Sequence, residues 1–199
     1  MGRAKSYDRE ELVGRAMQLF WRRGYQGTST ADLVSHLGVN KFSLYAEFGS
    51  KQTLYDLALE RYDREVVTRH FSKLEDSASG LAEIQQVLDF FARRGRTAGS
   101  ELGCFMCNSA TEVAPHEPGN QRTIEAFVGR VRAACETAFV HARESGELVD
   151  GVVIADEASF VATTLMGLFV LMRAQIEPSV LLEAGRAAQR HVSSLRKHR

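Results

Sequence analysis

Residues 28–51 read TSTADLVSHLGVNKFSLYAEFGSK, and this stretch decides the fold. Ser29, with Asp32 three residues on, is the opening of a short helix, and Leu33, Val34 and Leu37 give it a buried side. Gly38 follows, a residue that tolerates the positive φ a tight turn needs. Val39 and Asn40 turn the chain into a second short helix over Lys41 to Phe48, with Leu44 and Phe48 inward at i, i+4. Two short helices crossing steeply need apolar contacts where they meet, and Leu33, Leu37, Val39 and Leu44 supply them. The second must begin with polar, outward side chains if its N-terminal end is to reach base edges. Asn40, Lys41, Ser43 and Tyr45 meet that need. The layout is a helix-turn-helix.

Outward from this unit the chain reads as helix after helix. Upstream, Asp8 caps a first helix with Glu11 closing a capping box. Its apolar stripe is Leu12, Ala16, Leu19 and Phe20, Arg22 and Arg23 suit its last turn, and Gly24 stops it. Downstream, Gly49-Ser50 breaks the third helix, and Ser50 caps a long fourth helix from Lys51 to about Leu74. Further helices are expected over about 81–97, 103–114, 121–144 and 156–176, and a last one from Pro178. The Pro115-to-Gly119 stretch is the strongest loop signal. Only 3 of 199 residues are proline, in keeping with an all-α chain.

Composition excludes several classes. The chain is 44% hydrophobic and 25% charged, ordinary for a soluble globular protein. The longest charge-free apolar run, between Glu157 and Arg173, is shorter than the ~20 residues of a membrane span and includes Ser159, Thr163 and Thr164. The basic start, Met1 to Ser6, is followed by no apolar h-region, so no secretory signal is expected. Three cysteines make no disulfide framework, and a reducing cytoplasm is the expected location. Net charge is zero, but residues 1–51 hold eight Lys/Arg against five Asp/Glu, which points to a polyanion partner at that end.

The sequence resembles the TetR family of bacterial transcriptional regulators. The resemblance runs through Ala16, Leu19-Phe20, Gly24-Tyr25, Thr28-Ser29-Thr30, Asp32-Leu33, Leu37-Gly38-Val39, Leu44-Tyr45, Phe48, Ser50-Lys51 and Leu54, about a quarter of the chain. It implies a DNA-binding domain over 1–50 and a helical effector-binding and dimerisation domain over 51–199, joined by the fourth helix. By position, Thr30, Tyr45 and Lys51 match phosphate contacts, Lys51 at a helix N-terminus that favours anions. Asn40, Lys41 and Ser43 match the start of the recognition helix. Three positions depart from the pattern. Val34 replaces a smaller residue. Phe42 replaces a small residue, and either reads a thymine methyl by apolar contact or stiffens the helix. Glu47 replaces a frequent histidine, and no DNA role is carried to it.

The resemblance also implies a small effector and a homodimer, the latter suiting a palindromic operator with half-sites ~34–36 Å apart or a multiple of it. For an apolar effector the candidate lining is Leu88, Phe91, Met106, Cys107, Asn108, Thr111, Phe127, Val131, Cys135, Met166 and Phe169, each equally readable as core. Asn108 is the best single candidate, an amide amid apolar neighbours. The dimer faces are expected at Leu165, Leu168, Phe169 and Met172 on one helix, and at Leu181, Leu182, Ala188 and Val192 on the last.

Cys104-Phe105-Met106-Cys107 leaves an alternative open: a regulator whose signal is a thiol. Zinc is not expected, since beyond His116 no fourth ligand stands at standard spacing. No Walker loop, GxGxxG, HExxH or GxSxG occurs, so no enzyme and no cofactor is expected. A helical Cys/His enzyme and a DNA-independent helical scaffold are the remote alternatives from other classes.

Overall fold

The computed structural model of the chain describes residues 8–76 and 78–197. Arg3 and Lys5 of the basic N-terminal quarter, and His198 and Arg199 of the basic tail, lie outside the described residues. The described residues form ten α-helices and no sheet. The single extended pairing among them is an isolated bridge between Leu148 and Arg196.

Helices α1 (Arg9–Arg23), α2 (Thr30–Leu37) and α3 (Lys41–Phe48) form the N-terminal unit. Each begins on a side-chain cap, which stabilises a short helix by ~1 kcal/mol. Ser29 and Asp32 close a reciprocal capping box on α2, with bonds of 3.1 and 2.9 Å. Asn40 Oδ1 accepts Ser43 N–H at 2.8 Å to start α3. On α1 the box with Glu11 does not form, because Asp8 accepts from Glu10 N–H, one residue earlier. Gly38 ends α2 at φ +69°, the left-handed conformation the turn needs. Phe20, Leu33, Leu37, Leu44 and Phe48 bury their side chains between the three helices and α4 (Lys51–Tyr62). Arg15 reaches the last carbonyls of α2, those of His36 and Leu37.

The connecting rod is not one uniform helix. α4 passes through a π-helical turn, Asp63–Val67, into α5 (Thr68–Glu75). Such a turn is wider and leaves carbonyls short of partners. Thr68 Oγ1 donates to Asp63 O, and Arg130 from α8 fastens the bulge with bonds to Asp63 (2.9 Å), Thr68 (3.1 Å) and Glu75 (2.6 Å). Hydrophobic periodicity cannot register one inserted residue, so the sequence reads straight through it.

The second unit packs α6 (Leu81–Arg94), α7 (Phe105–Glu112), α8 (Pro118–Glu144), α9 (Ile154–Arg173) and α10 (Pro178–Ser194). α7 starts two residues later than expected because Gly103 has φ +60°, and a Cβ there would lie 2.8 Å from Phe169 O. α9 is long and apolar enough to cross a membrane by length and composition alone. One side of it, including Val161, Leu165 and Leu168, is buried in the protomer's own core.

That burial corrects the expected dimer face. Leu165, Leu168, Phe169, Met172, Leu181, Leu182, Ala188 and Val192 are all buried within the protomer and cannot also face a partner. The apolar residues these helices leave bare lie on other faces: Phe160 (42% exposed), Val170 (49%) and Val180 (42%). Both sides of α9 are apolar, so spacing alone could not assign one to the core.

Candidate nucleic-acid interface and effector cavity

The start of α3 is an exposed polar edge with one large apolar side chain on it. Lys41 and Asn40 are exposed, and Phe42 is 84% exposed, although it is a phenylalanine. Such a ring puts a large apolar contact surface on an otherwise polar edge. With Asn40 Oδ1 used at the cap, its Nδ2 hydrogens remain for an outside acceptor. Ser43 lies one turn along, half-buried, beside that cap.

Three further groups, Thr30, Tyr45 and Lys51, lie near this edge. Thr30 Oγ1 and the Tyr45 hydroxyl share a hydrogen bond of 3.0 Å, tying the start of α2 to α3. Lys51, the first residue of α4, holds its Nζ 4.0 Å from the centre of the Tyr25 ring. Partial burial keeps the pKa of Lys51 below the ordinary lysine value, with the Glu112 carboxylate opposing that shift. An arriving anion at this helix N-terminus would favour its charged form. Lys41 lies over the Tyr45 ring at 5.9 Å. Thus Thr30, Asn40, Lys41, Phe42, Ser43, Tyr45 and Lys51 come together around the second and third helices. Glu47 turns away from them and pairs with Arg9 at 3.4 Å. Tyr25, which orients Lys51, is an addition that only the contact itself reveals.

A cavity of about 40 Å³ lies where α1, the rod, α6, α9 and the 95–103 loop meet. Trp21, Tyr62, His70, Phe91, Phe127 and Phe169 are among its walls, with Arg94 and Cys104. Of the expected lining, Phe91, Phe127 and Phe169 are there. Leu88, Val131 and Cys135 are buried elsewhere in the core, and Met166 packs half-buried against it. Met106 borders a separate open groove, with Glu60 and Arg130. Cys107 is buried behind Cys104. Asn108 donates to Leu102 O at 2.9 Å, so its amide braces the start of α7. Thr111 is on the surface, bonded to its own helix at Asn108 O. The corrections share one cause: helical spacing marks which residues point inward, and most inward residues meet core.

The sequence reading missed Trp21, Tyr62 and His70, because they belong to the first helix and the rod. Burial and the Arg94 and Arg69 charges hold His70 below the usual histidine value. The Trp21 indole donates to Leu102 O at 3.0 Å, just ahead of α7. At the other end of α7, Glu112 accepts the backbone N–H groups of Tyr25 (3.1 Å) and Gln26 (2.7 Å). Arg173 of α9 donates to Arg22 O at 3.1 Å. The turn after α1 is therefore gripped from the other unit. Among the described residues no three His, Cys, Asp or Glu side chains converge as a metal site would require.

Comparison with known proteins agrees with this geometry. Residues 12–58 match the sequence profile of bacterial regulatory proteins, tetR family. The chain is 32% identical over 148 residues to the HTH-type transcriptional regulator YezE of Bacillus subtilis, covering 74% of this chain and 76% of that one. It is 28% identical over 175 residues to the HTH-type transcriptional repressor ComR of Escherichia coli, covering 86% and 82%. Among solved structures, a cysteine mutant of the TetR family regulator CifR, complexed with a 26-base-pair operator, superposes with a TM-score of 0.83 at 27% identity. That match covers 94% of this chain and 98% of the other. The chain belongs to the tetR family and is a DNA-binding transcriptional regulator.

Proposed function

We propose that this chain is a homodimeric repressor that holds a palindromic operator and releases it when a small molecule occupies the cavity. The observation that carries the reading is the shared wall. Trp21, a residue of the DNA-binding unit, borders the cavity and is hydrogen-bonded to the segment that opens α7. The boundary between units falls at 50/51, and the rod from Lys51 links them. Relatives named as repressors, ComR among them, support the direction of control. A regulator of this kind works beside the chromosome, in the cytoplasm.

The cavity as it stands has room for about three waters, well below the ~300 Å³ or more of a typical ligand site. A larger apolar effector therefore has to move a wall. The 95–103 loop is the weakest one, with Arg96, Thr97 and Ala98 exposed. A ligand that binds the widened form better shifts the population toward it, and α7 carries the change to α1. The exposed Phe160, Val170 and Val180 support dimerisation through the outer faces of α9 and α10.

Selection of the purified protein against random duplex DNA tests the reading. The expected result is an inverted repeat whose half-sites lie about one helical turn, or a multiple, apart. Failure to enrich any sequence would refute operator recognition, and an unpaired half-site bound by a monomer would refute the dimer.

A further inference from the structure

Cys104 and Cys107 take the N-cap and N3 positions of α7. At that spacing two side chains reach each other across an open helix end, as in a capping box. Cys104 has an extended backbone (φ −102°, ψ 127°) and its side chain makes no capping hydrogen bond. The Cys107 thiol and N–H, the Tyr62 hydroxyl and the Met106 N–H lie close enough to Cys104 to act on its ionisation. Burial works to keep Cys104 protonated, but these donors outweigh it and hold the thiol below its usual pKa. Cys107, bonded to Cys104 and buried, is pushed up. Within the pair, Cys104 is the more acidic thiol. Cys135 is a contrast: burial alone acts on it and pushes it up to about 12.

Cys104 also forms part of the cavity wall, and Cys107 does not. A space of about 40 Å³ beside Cys104 admits a molecule of only a few heavy atoms. The arrangement thus places the more acidic thiol's residue in the wall of a small cavity, with a second thiol three residues on at the same helix start.

We propose that Cys104 and Cys107 form a hydroperoxide-responsive dithiol, with Cys104 attacking from the cavity wall and Cys107 resolving, and that closing their disulfide weakens operator binding. The proposal rests on the DNA-binding regulator reading and adds a chemical signal at the same cavity. In the first step the Cys104 thiolate attacks one oxygen of the hydroperoxide. An S–O bond forms, the O–O bond breaks, and the departing oxygen takes up the proton Cys104 had released. Sulfur gives two electrons and becomes a sulfenic acid. In the second step Cys107 sulfur attacks Cys104 sulfur; the S–S bond forms and hydroxide leaves with the Cys107 proton as water. Two thiols and one hydroperoxide yield one disulfide, one alcohol or water, and one water. A dithiol reductant reverses the change.

Closing the bond would rearrange the start of α7, which carries both cysteines. Phe105, between the two cysteines, packs edge-on against Tyr55 at 5.3 Å and Tyr62 at 5.7 Å, both on α4. The Leu102 carbonyl that holds Trp21 lies two residues before Cys104. A shift at this helix start therefore reaches both α1 and α4.

The test uses the full-length reduced protein, its selected operator and hydrogen peroxide. Peptide mass should fall by about 2 Da on the Cys104–Cys107 segment, and operator affinity should fall about tenfold or more, restored by dithiothreitol. Cys107→Ser should stop at a sulfenic acid, about 16 Da heavier. Cys104→Ser should be inert, and Cys135→Ser should behave as wild type. The mass reading on wild type decides the chemistry even if a variant fails to fold. Unreacted thiols in the folded wild type, oxidation that proceeds equally in a folded Cys104→Ser, or a disulfide that leaves affinity unchanged would each overturn the proposal. If the reduced protein binds no DNA at all, the regulator reading fails, whereas the mass shift still decides the dithiol chemistry.

Discussion

Removing the Glu112 carboxylate should loosen the DNA-binding unit from the rest of the protein. Glu112 accepts two backbone N–H groups, from half-buried Tyr25 at 3.1 Å and exposed Gln26 at 2.7 Å. A hydrogen bond to a charged acceptor contributes ~1.5–3 kcal/mol when shielded and less in water. The buried side sets the larger share, so Glu112→Ala should cost about 2–3 kcal/mol, or about 4–12 °C in Tm for a chain of this size. Glu112→Gln keeps one acceptor oxygen but turns an N–H₂ toward the second donor, and should lose about half as much. The same changes remove a fixed point through which α7 positions the turn after α1. Operator affinity should fall and the response to ligand should shrink together. Urea unfolding and operator titration on the two variants measure both. Wild-type stability with unchanged operator affinity in Glu112→Ala would refute the idea that this carboxylate joins the units.

Other outcomes follow from the same contacts. Lys51→Ala should weaken all DNA sequences alike and lower the salt slope by about 1, read from titrations at several ionic strengths. Phe42→Ala should leave stability within about 0.5 kcal/mol, since the ring is exposed, but change base preference in a repeated selection. Val170→Glu should yield folded monomers by sedimentation, whereas Leu168→Arg should unfold the protomer, because Leu168 lies in its core. His70 has a folded pKa below the unfolded value through burial and the Arg94 and Arg69 charges, so its contribution is fully present above about pH 6.5 and is lost as pH falls through the folded value. His70→Gln should flatten the decline of the urea midpoint between about pH 7 and pH 5.

The N-terminal unit was legible because its signals are local. Ser29, Asn40 and Ser50 cap the helices they precede, and Gly38 and Gly49 end them at positive φ. Each of these effects operates within four residues, so the sequence displays it directly. The later helices are positioned by partners far away in the chain. On α9, Phe169 points into the cavity and its neighbour Val170 into solvent, a choice made by α6 and α8 rather than by α9 itself. The cavity was hidden for the same reason. Trp21 follows Phe20 and falls beside the apolar stripe of α1, and its purpose appears only when α9 and the 95–103 loop close over it. Cys104 needed Tyr62 and the true start of α7 before its chemistry differed from that of Cys107.

The packing crosses the proposed boundary at residue 50. Tyr55, on the rod, meets the Phe20 ring at 5.0 Å, Tyr25 at 4.9 Å and Phe105 at 5.3 Å. Tyr62 meets Trp21 at 5.0 Å and Phe105 at 5.7 Å. One aromatic cluster therefore belongs at once to the DNA-binding helices, the rod and α7. An edge-to-face pair contributes ~0.5–1.5 kcal/mol beyond its buried area. A tenfold change in operator affinity corresponds to only ~1.4 kcal/mol of coupling, inside the usual allosteric range. Displacing Phe105 from one tyrosine, or freeing one Glu112 bond, is enough to supply it. No large domain rotation is required within the protomer. A small displacement at the start of α7 changes contacts on both sides of the proposed boundary, and in the proposed dimer it would move two recognition helices relative to each other.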